Sequence, residues 1–117
     1  MPVYVDDMRA SFGRMVMCHM VADTDEELHA MAACIGVARK WHQKPSTARS
    51  HYDIALSKRA LAVAAGAIEI TWRQTGAMVA RRRATGQLGD PSTAEEWQRA
   101  HLAARRAAAE TATTESA

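Results

Sequence analysis

The stretch from Asp6 to Asp53 gathers Asp6, Asp7, His19, Asp23, Glu27, His29, His42, His51 and Asp53, with Trp41 and Tyr52 among them. Four of the chain's five histidines fall inside it. Imidazoles and carboxylates are the groups that move protons near neutral pH and ligate divalent metals. His51 and Asp53 stand two apart, so on an extended segment both side chains leave one face. That geometry suits joint metal ligation, or an imidazole and a carboxylate serving one substrate. His19 and Asp23 lie where an apolar run gives way to a helix signal, the place at which α/β folds put ligands. The bland alternative for His19, a core histidine bonded to a backbone carbonyl, has about equal weight on these residues alone.

His19, His51 and Asp53 are thus the candidate catalytic centre. With Asp23 and His29 they also form a candidate ligand set for a divalent Zn, Mn or Fe ion, although no HExxH or CxxC spacing singles out that reading. A metal-free alternative uses His19 and His51 as an acid/base pair, with Arg9, Arg14, Lys58 or Arg59 neutralising a phosphate. Glu27 is already engaged as a helix cap, and His29 lies one step off an apolar stripe. Neither a P-loop nor a GxGxxG or GxSxG element occurs, which counts against ATPase, dinucleotide dehydrogenase and serine hydrolase chemistry.

The elements that must position these groups are legible as a pattern. Val3-Tyr4-Val5 predicts a short strand ending in Asp6 and Asp7, and Met8 to Arg14 reads as a loop. Met15 to Ala22 is a nearly continuous apolar run, the pattern of a strand buried on both faces. Thr24 to Glu27 predicts a capping box, and Leu28, Met31, Ala32 and Ile35 form the apolar stripe of a helix that stops at Gly36. Val37 to Gln43 reads as extended, Lys44 to Ser50 as an exposed loop, and His51 to Ile54 follows. Ser57 opens a second helix ending at Gly66, and Ala67 to Thr71 alternates as a strand. A third, arginine-rich helix comes next. Residues 1–86 are expected to form a compact single α/β domain, with a mixed, partly parallel sheet and flanking helices. Residues 87–92 read as a linker and 93–110 as a peripheral, alanine-rich helix capped by Ser92 and Glu95. Residues 111–117 read as a disordered tail.

A chain of 117 residues with 48% hydrophobic content can bury one modest core. The formal charge of +2 is too small to announce nucleic acid. The one dense basic run, Arg81-Arg82-Arg83, reads first as a solvated helix end and second as a phosphate or RNA contact. Cys18 and Cys34 have apolar neighbours and no paired spacing, so two buried free thiols are expected. Without a leader pattern or a run of about eighteen apolar residues, a soluble, cytoplasmic protein without membrane contact is expected.

Val3-Tyr4-Val5-Asp6, Cys18-His19-Met20-Val21-Ala22-Asp23, Glu27-Leu28-His29, Ile35-Gly36-Val37, Trp41-His42-Gln43, His51-Tyr52-Asp53 and Arg59 through Gly66-Ala67 occur in this order. Together they resemble a small bacterial and phage family known as domain of unknown function 4031, over about residues 3–71, leaving the third helix and the tail outside. The resemblance implies importance for Tyr4, Asp6, Trp41, Gln43, Tyr52 and Arg59, taken as substrate-binding, alongside His19, Asp23, Glu27, His29, His51 and Asp53. Met31 and His42 stand where many members carry an aromatic residue, which weakens His42. Two functions follow. One is a small hydrolase or lyase acting on a nucleotide or other phosphorylated substrate, with an unidentified divalent metal as one option. The other is a non-catalytic accessory protein binding a nucleic acid, a nucleotide signal or a host protein. Either is compatible with a homodimer through the Trp97 helix.

Overall fold

The computed structural model describes residues 2–116, with side-chain surroundings through Ala112. Its sheet is built around β3 (Met15–Ala22), which pairs antiparallel with β1 (Val3–Val5), β2 (Ala10–Phe12) and β4 (Tyr52–Ala55). β1 takes Met20–Ala22 and β2 takes Met15–Met17, while β4 pairs across Met17–Met20. Met17 and Met20 thus have partners on both sides, which puts β1 and β2 end to end along one edge of β3 and β4 along the other. β5 (Ile68–Glu69) extends the sheet by pairing parallel with β1. It is the single parallel pairing among the described strands, and it follows a helical crossover as parallel pairs must.

Alternation along the strands sorts the core into two layers. Val3, Val5, Met20, Ala22, Tyr52 and Ile54 face α1 (Asp25–Cys34) and α2 (Leu56–Ala64), where Leu28, Ala32, Ile35 and Ala62 complete the layer. Tyr4 and Val21 face the other way, against Ile70, Ala77 and Met78 of α3 (Trp72–Thr85) and Leu88 and Ala94 at α4 (Pro91–Ser116). Full burial of a residue such as Met20 or Ile54 contributes about 1.5–3 kcal/mol.

Several expectations need correction. Met8 to Arg14 is not all loop: Ala10–Phe12 forms β2, joined to β3 by a two-residue turn in which Gly13 takes φ +62°. Gly at that first central position gives the turn the twist of its strands. β3 is not buried throughout: Met15 is exposed and Val16 and Met17 are half-buried, and full burial begins at Cys18. The expected extended run before Gln43 contains a 3₁₀ turn at Arg39–Trp41. Only the Thr24 half of the first capping box forms, with Thr24 Oγ1 accepting from Glu27 N at 3.2 Å, while Glu27 Oε2 is buried without a partner among the described residues. A reciprocal box occurs instead at Thr71 and Gln74 of α3.

The stretch after Gly86 is packed rather than a free linker. Leu88 is buried, and Arg81 donates to the carbonyls of Leu88 and Asp90 and to Thr93 Oγ1. Asp90 caps α4 by accepting from Ser92 N, so the helix begins at Pro91 instead of Thr93. α4 runs on to Ser116, so the expected disordered stretch is helical up to that point; Ala117 lies outside the described residues. Cys18 is buried as expected, but Cys34 is exposed near the end of α1. No helix among the described residues is long and apolar enough to cross a membrane.

Candidate metal centre

The register of the sheet, not the chain order, assembles the site. His19 on β3 stands directly opposite Asp53 on β4. One step beyond the Val5–Met20 pair, Asp6 N donates to the carbonyl of His19 at 3.0 Å, extending the ladder past the end of β1. Asp6, His19 and Asp53 therefore form one row across three strands, on the same face. Gln43 and His51 exchange backbone hydrogen bonds in an isolated bridge, which holds His51 two residues before Asp53 and on that face.

Within this row each ring is held by its Nδ1. The side chain of Asp6 is fully buried, and its Oδ2 takes the His19 Nδ1 proton at 2.8 Å. Asp6 Oδ1 accepts from the backbone amides of His19 at 2.8 Å and Met8 at 3.1 Å. Burial alone would push the Asp6 carboxyl up; the hydrogen bonds from His19 and Met8 outweigh it and hold Asp6 below the ordinary carboxylate value, so it stays ionised. The hydrogen bond to Asp6 in turn raises His19 above its ordinary value, against the opposing effect of burial. His51 Nδ1 donates to the Arg49 carbonyl at 2.6 Å, an acceptor that fixes its tautomer.

With Nδ1 so engaged, a neutral ring at either position presents its Nε2 lone pair, and the two Nε2 atoms approach the same oxygen. Asp53 Oδ1 lies 3.8 Å from His19 Nε2 and 3.4 Å from His51 Nε2, and the three donor atoms lie within 4.8 Å of one another. Bonds of roughly 2.1 Å at a tetrahedral angle would separate ligand atoms by roughly 3.4 Å, so a small contraction would seat one divalent ion. Asp53 Oδ2 is held by Gln43 Nε2 at 2.7 Å, leaving Oδ1 for that role. Imidazole held through Nδ1 by a carboxylate or carbonyl, and a ligating carboxylate itself hydrogen-bonded, is how proteins orient metal ligands.

Of the five candidate ligands, the structure brings together His19, His51 and Asp53. Asp23 lies near Tyr4, Glu27 and Arg82; burial and the Glu27 charge raise its carboxyl. His29 lies across the sheet, where its Nδ1 meets the Tyr52 hydroxyl at 2.7 Å. His42, the weakest of the histidines by sequence, packs there against both rings and bonds Ser50 Oγ at 2.7 Å, and Ser50 donates to Asp25 at 2.6 Å. That network borders an open cleft of about 790 Å³ lined by Asp25, His29, Arg39 and His42 among others. A second cleft, of about 800 Å³, is bordered by Tyr4, Asp23 and Asp90. Neither is lined by Asp6, His19 or Asp53; of these Asp6 is buried and the other two are partly exposed.

The residues expected to bind substrate have varied placements. Asp6 orients His19, and Gln43 orients Asp53. Tyr4 and Tyr52 are buried in the two opposite layers. Trp41 is largely exposed, with Lys40 over its ring. Arg59 spans α2 to the sheet, donating to the Asp6 carbonyl at 2.7 Å and to Glu69 Oε1 at 2.9 Å. Arg82, expected at a solvated helix end or on a phosphate, instead donates to the carbonyls of Ala22, Ala48 and Ser50. It ties the 48–50 loop, and through it the Arg49 carbonyl that holds His51, to the end of β3. Sequence reasoning missed Arg82 because it stands in the middle of the basic run Arg81-Arg82-Arg83, which reads as surface charge. Neither Arg81 nor Arg82 is a free cation.

No curated protein and no solved structure matches the chain. A family model does, over residues 3–83, and so extends past residue 71 into most of α3, including the arginine run that the sequence resemblance had left outside. The chain belongs to the family described as "Protein of unknown function (DUF4031)".

Proposed function

We propose that this protein is a divalent-metal-dependent hydrolase acting on a phosphorylated small molecule, with His19 Nε2, His51 Nε2 and Asp53 Oδ1 as the ligands. One observation carries the reading: both imidazoles have Nδ1 engaged by an acceptor while their Nε2 atoms converge on one carboxylate oxygen. Two imidazoles and one carboxylate leave coordination positions open, as catalytic rather than structural centres do, and the donor set suits Zn, Mn or Fe. An ion held there would polarise a phosphoryl oxygen and lower the pKa of a coordinated water. The protein's own share is orientation: Asp6 and the Arg49 carbonyl set the ring tautomers, and Gln43 leaves Asp53 one free oxygen.

The test is elemental analysis of protein purified without a histidine tag, together with Zn²⁺ and Mn²⁺ titrations of wild type, His51→Ala and Asp53→Ala. Near-stoichiometric binding that both variants lose, with turnover of a generic phosphoester following metal content, is expected. Metal binding unchanged in both variants would refute the site. Binding without turnover of any phosphoester would favour a non-catalytic metal-binding protein.

A further inference from the structure

Tyr4 carries a hydroxyl that the fold does not use. The residue is 5% exposed, in the layer under α3 and α4, yet its hydroxyl has no hydrogen-bond partner among the described residues. A buried phenol ordinarily finds one. Among the described residues that are not exposed, Glu27 Oε2 is the one side-chain oxygen sealed from solvent without a partner. The Tyr4 hydroxyl is therefore open, and it opens on the cleft of about 800 Å³ that Tyr4 borders. That cleft lies between the β1–β5 side of the sheet and the segment from Gly86 to Ser92. Its described lining holds three carboxylates, Asp23, Glu69 and Asp90, and no lysine, arginine or histidine, in a chain of net charge +2. Glu69 is paired with Arg59 at 2.9 Å. The other two are not neutralised in this way: the Asp23 carboxylate has no hydrogen bond among the described residues, and Asp90 gives only Oδ1 to Ser92. Burial, and then the charges of Asp23, Asp90 and Glu27, raise the Tyr4 hydroxyl above its ordinary value, so negative charge gathers around that oxygen. Arg82 and Arg81 act on Asp23 and Asp90 through charge alone, their guanidinium groups being spent on carbonyls and on Thr93.

We infer that this cleft is a second binding site, for a small organic ammonium ion: a primary amine on an aliphatic stem, its head received by Tyr4, Asp23 and Asp90. An ammonium has three N–H donors and no acceptor, which suits a phenol oxygen and two unpaired carboxylates. Pro2, Ile68, Ile70 and Leu88 supply apolar wall, and an aliphatic stem gains by covering Ile68, which is 45% exposed. A chelated metal fits less well, because His19, His51 and Asp53 are the one group of three ligand side chains within 4.8 Å among the described residues. An anion, including the phosphorylated substrate of the metal centre, would meet charge of its own sign. The cleft shares no residue with that centre, so the inference stands apart from the metal reading.

The probe is n-pentylamine, titrated into the full chain and followed by amide shifts in nitrogen–proton correlation spectra, with methylamine and n-pentanol alongside. Saturable shifts centred on the Gly86–Ser92 segment and on Tyr4 and Asp23 are expected. The affinity should exceed about tenfold that of methylamine, which lacks the stem, and that of pentanol, which lacks the charge. Tyr4→Phe should weaken pentylamine binding about ten- to a hundredfold, the range for a hydrogen bond to a charged group. Its melting curve and Zn²⁺ affinity should be unchanged, because the hydroxyl has no partner in the fold to lose. Asp23→Asn, at an exposed position, should weaken binding in the same range and gives that reading without touching the core. Pentanol binding as tightly as pentylamine would overturn the assignment, since the cleft would then be an apolar groove. So would a pentylamine affinity that both variants leave unchanged, or the absence of any saturable shift at these amides.

Discussion

Asp6→Asn tests the logic of the site at one atom. The substitution preserves size and leaves an amide oxygen to accept from the backbone amides of His19 and Met8, now at 2.8 and 3.1 Å. It replaces Oδ2, the acceptor of the His19 Nδ1 proton at 2.8 Å, with an NH₂ that can only donate. His19 must then accept at Nδ1 and carry its proton on Nε2, the atom that faces Asp53 Oδ1 at 3.8 Å. The lone pair required for ligation is gone. Loss of an outer-shell partner typically lowers metal affinity 10–100-fold, about 1.4–2.7 kcal/mol, and an imposed wrong tautomer puts Asp6→Asn at or above the upper end. Asp6→Ala leaves the ring free to choose either tautomer, so its metal affinity should fall less. Its stability should fall more, because two backbone amides and a buried cavity lose their partner at about 1–3 kcal/mol for each unsatisfied group. The two variants should therefore rank in opposite order for Zn²⁺ affinity, read by competition with a chromophoric chelator, and for urea midpoint. Proton-detected nitrogen spectra of the imidazoles should show the His19 tautomer inverted in Asp6→Asn. Zn²⁺ affinity within twofold of wild type in that variant would refute the reasoning.

Two other expectations follow from the parts around the site. His42 is 8% exposed, and burial, opposed by the charge of Asp25, lowers its value from 6.5. The unfolded chain therefore takes up this proton first on acidification: the contribution is fully present above about pH 6.5 and is lost as the pH falls through the lowered folded value. His19, raised by Asp6, acts in the opposite sense in metal-free protein, its contribution being present below 6.5 and lost as the pH rises through the folded value. The difference between wild type and His42→Gln isolates the first effect, so urea midpoints measured from pH 7.5 to 5 should converge as the pH falls; parallel curves would exclude it. Arg82→Met removes the donors to Ala22, Ala48 and Ser50 and should cost about 1–3 kcal/mol in unfolding free energy. It should also weaken Zn²⁺ binding, through the loop that carries the Arg49 carbonyl, and unaltered stability would show that the three carbonyls find water instead.

Much of this protein can be read along the chain because its signals are local. Val3–Val5, the helix begun by Thr24 and the stop at Gly36 follow from period, caps and glycine, each within one element. The same holds for His51 and Asp53, whose shared face needs only two residues of extended backbone. Reading failed where the deciding partner was distant. Ala10–Phe12 is too short to announce a strand and exists because β3 offers it an edge. The tail helix is continuous through residues that composition alone marks as unstructured. Arg81 and Arg82 looked like surface charge until the carbonyls that receive them arrived from other segments.

The residue types thus determined which atoms could ligate and transfer protons, and the local periods determined the strands and helices that carry them. Tertiary structure alone decided which of those atoms meet. Strand register, set by which faces can be buried, placed Asp6 beside His19 and His19 opposite Asp53. It left His29 with Tyr52 on the other face and Asp23 beyond the end of β3, four residues along the chain from His19. A slip of one residue would have turned each of these side chains to the opposite face, and nothing in their spacing along the chain records which register the sheet adopts.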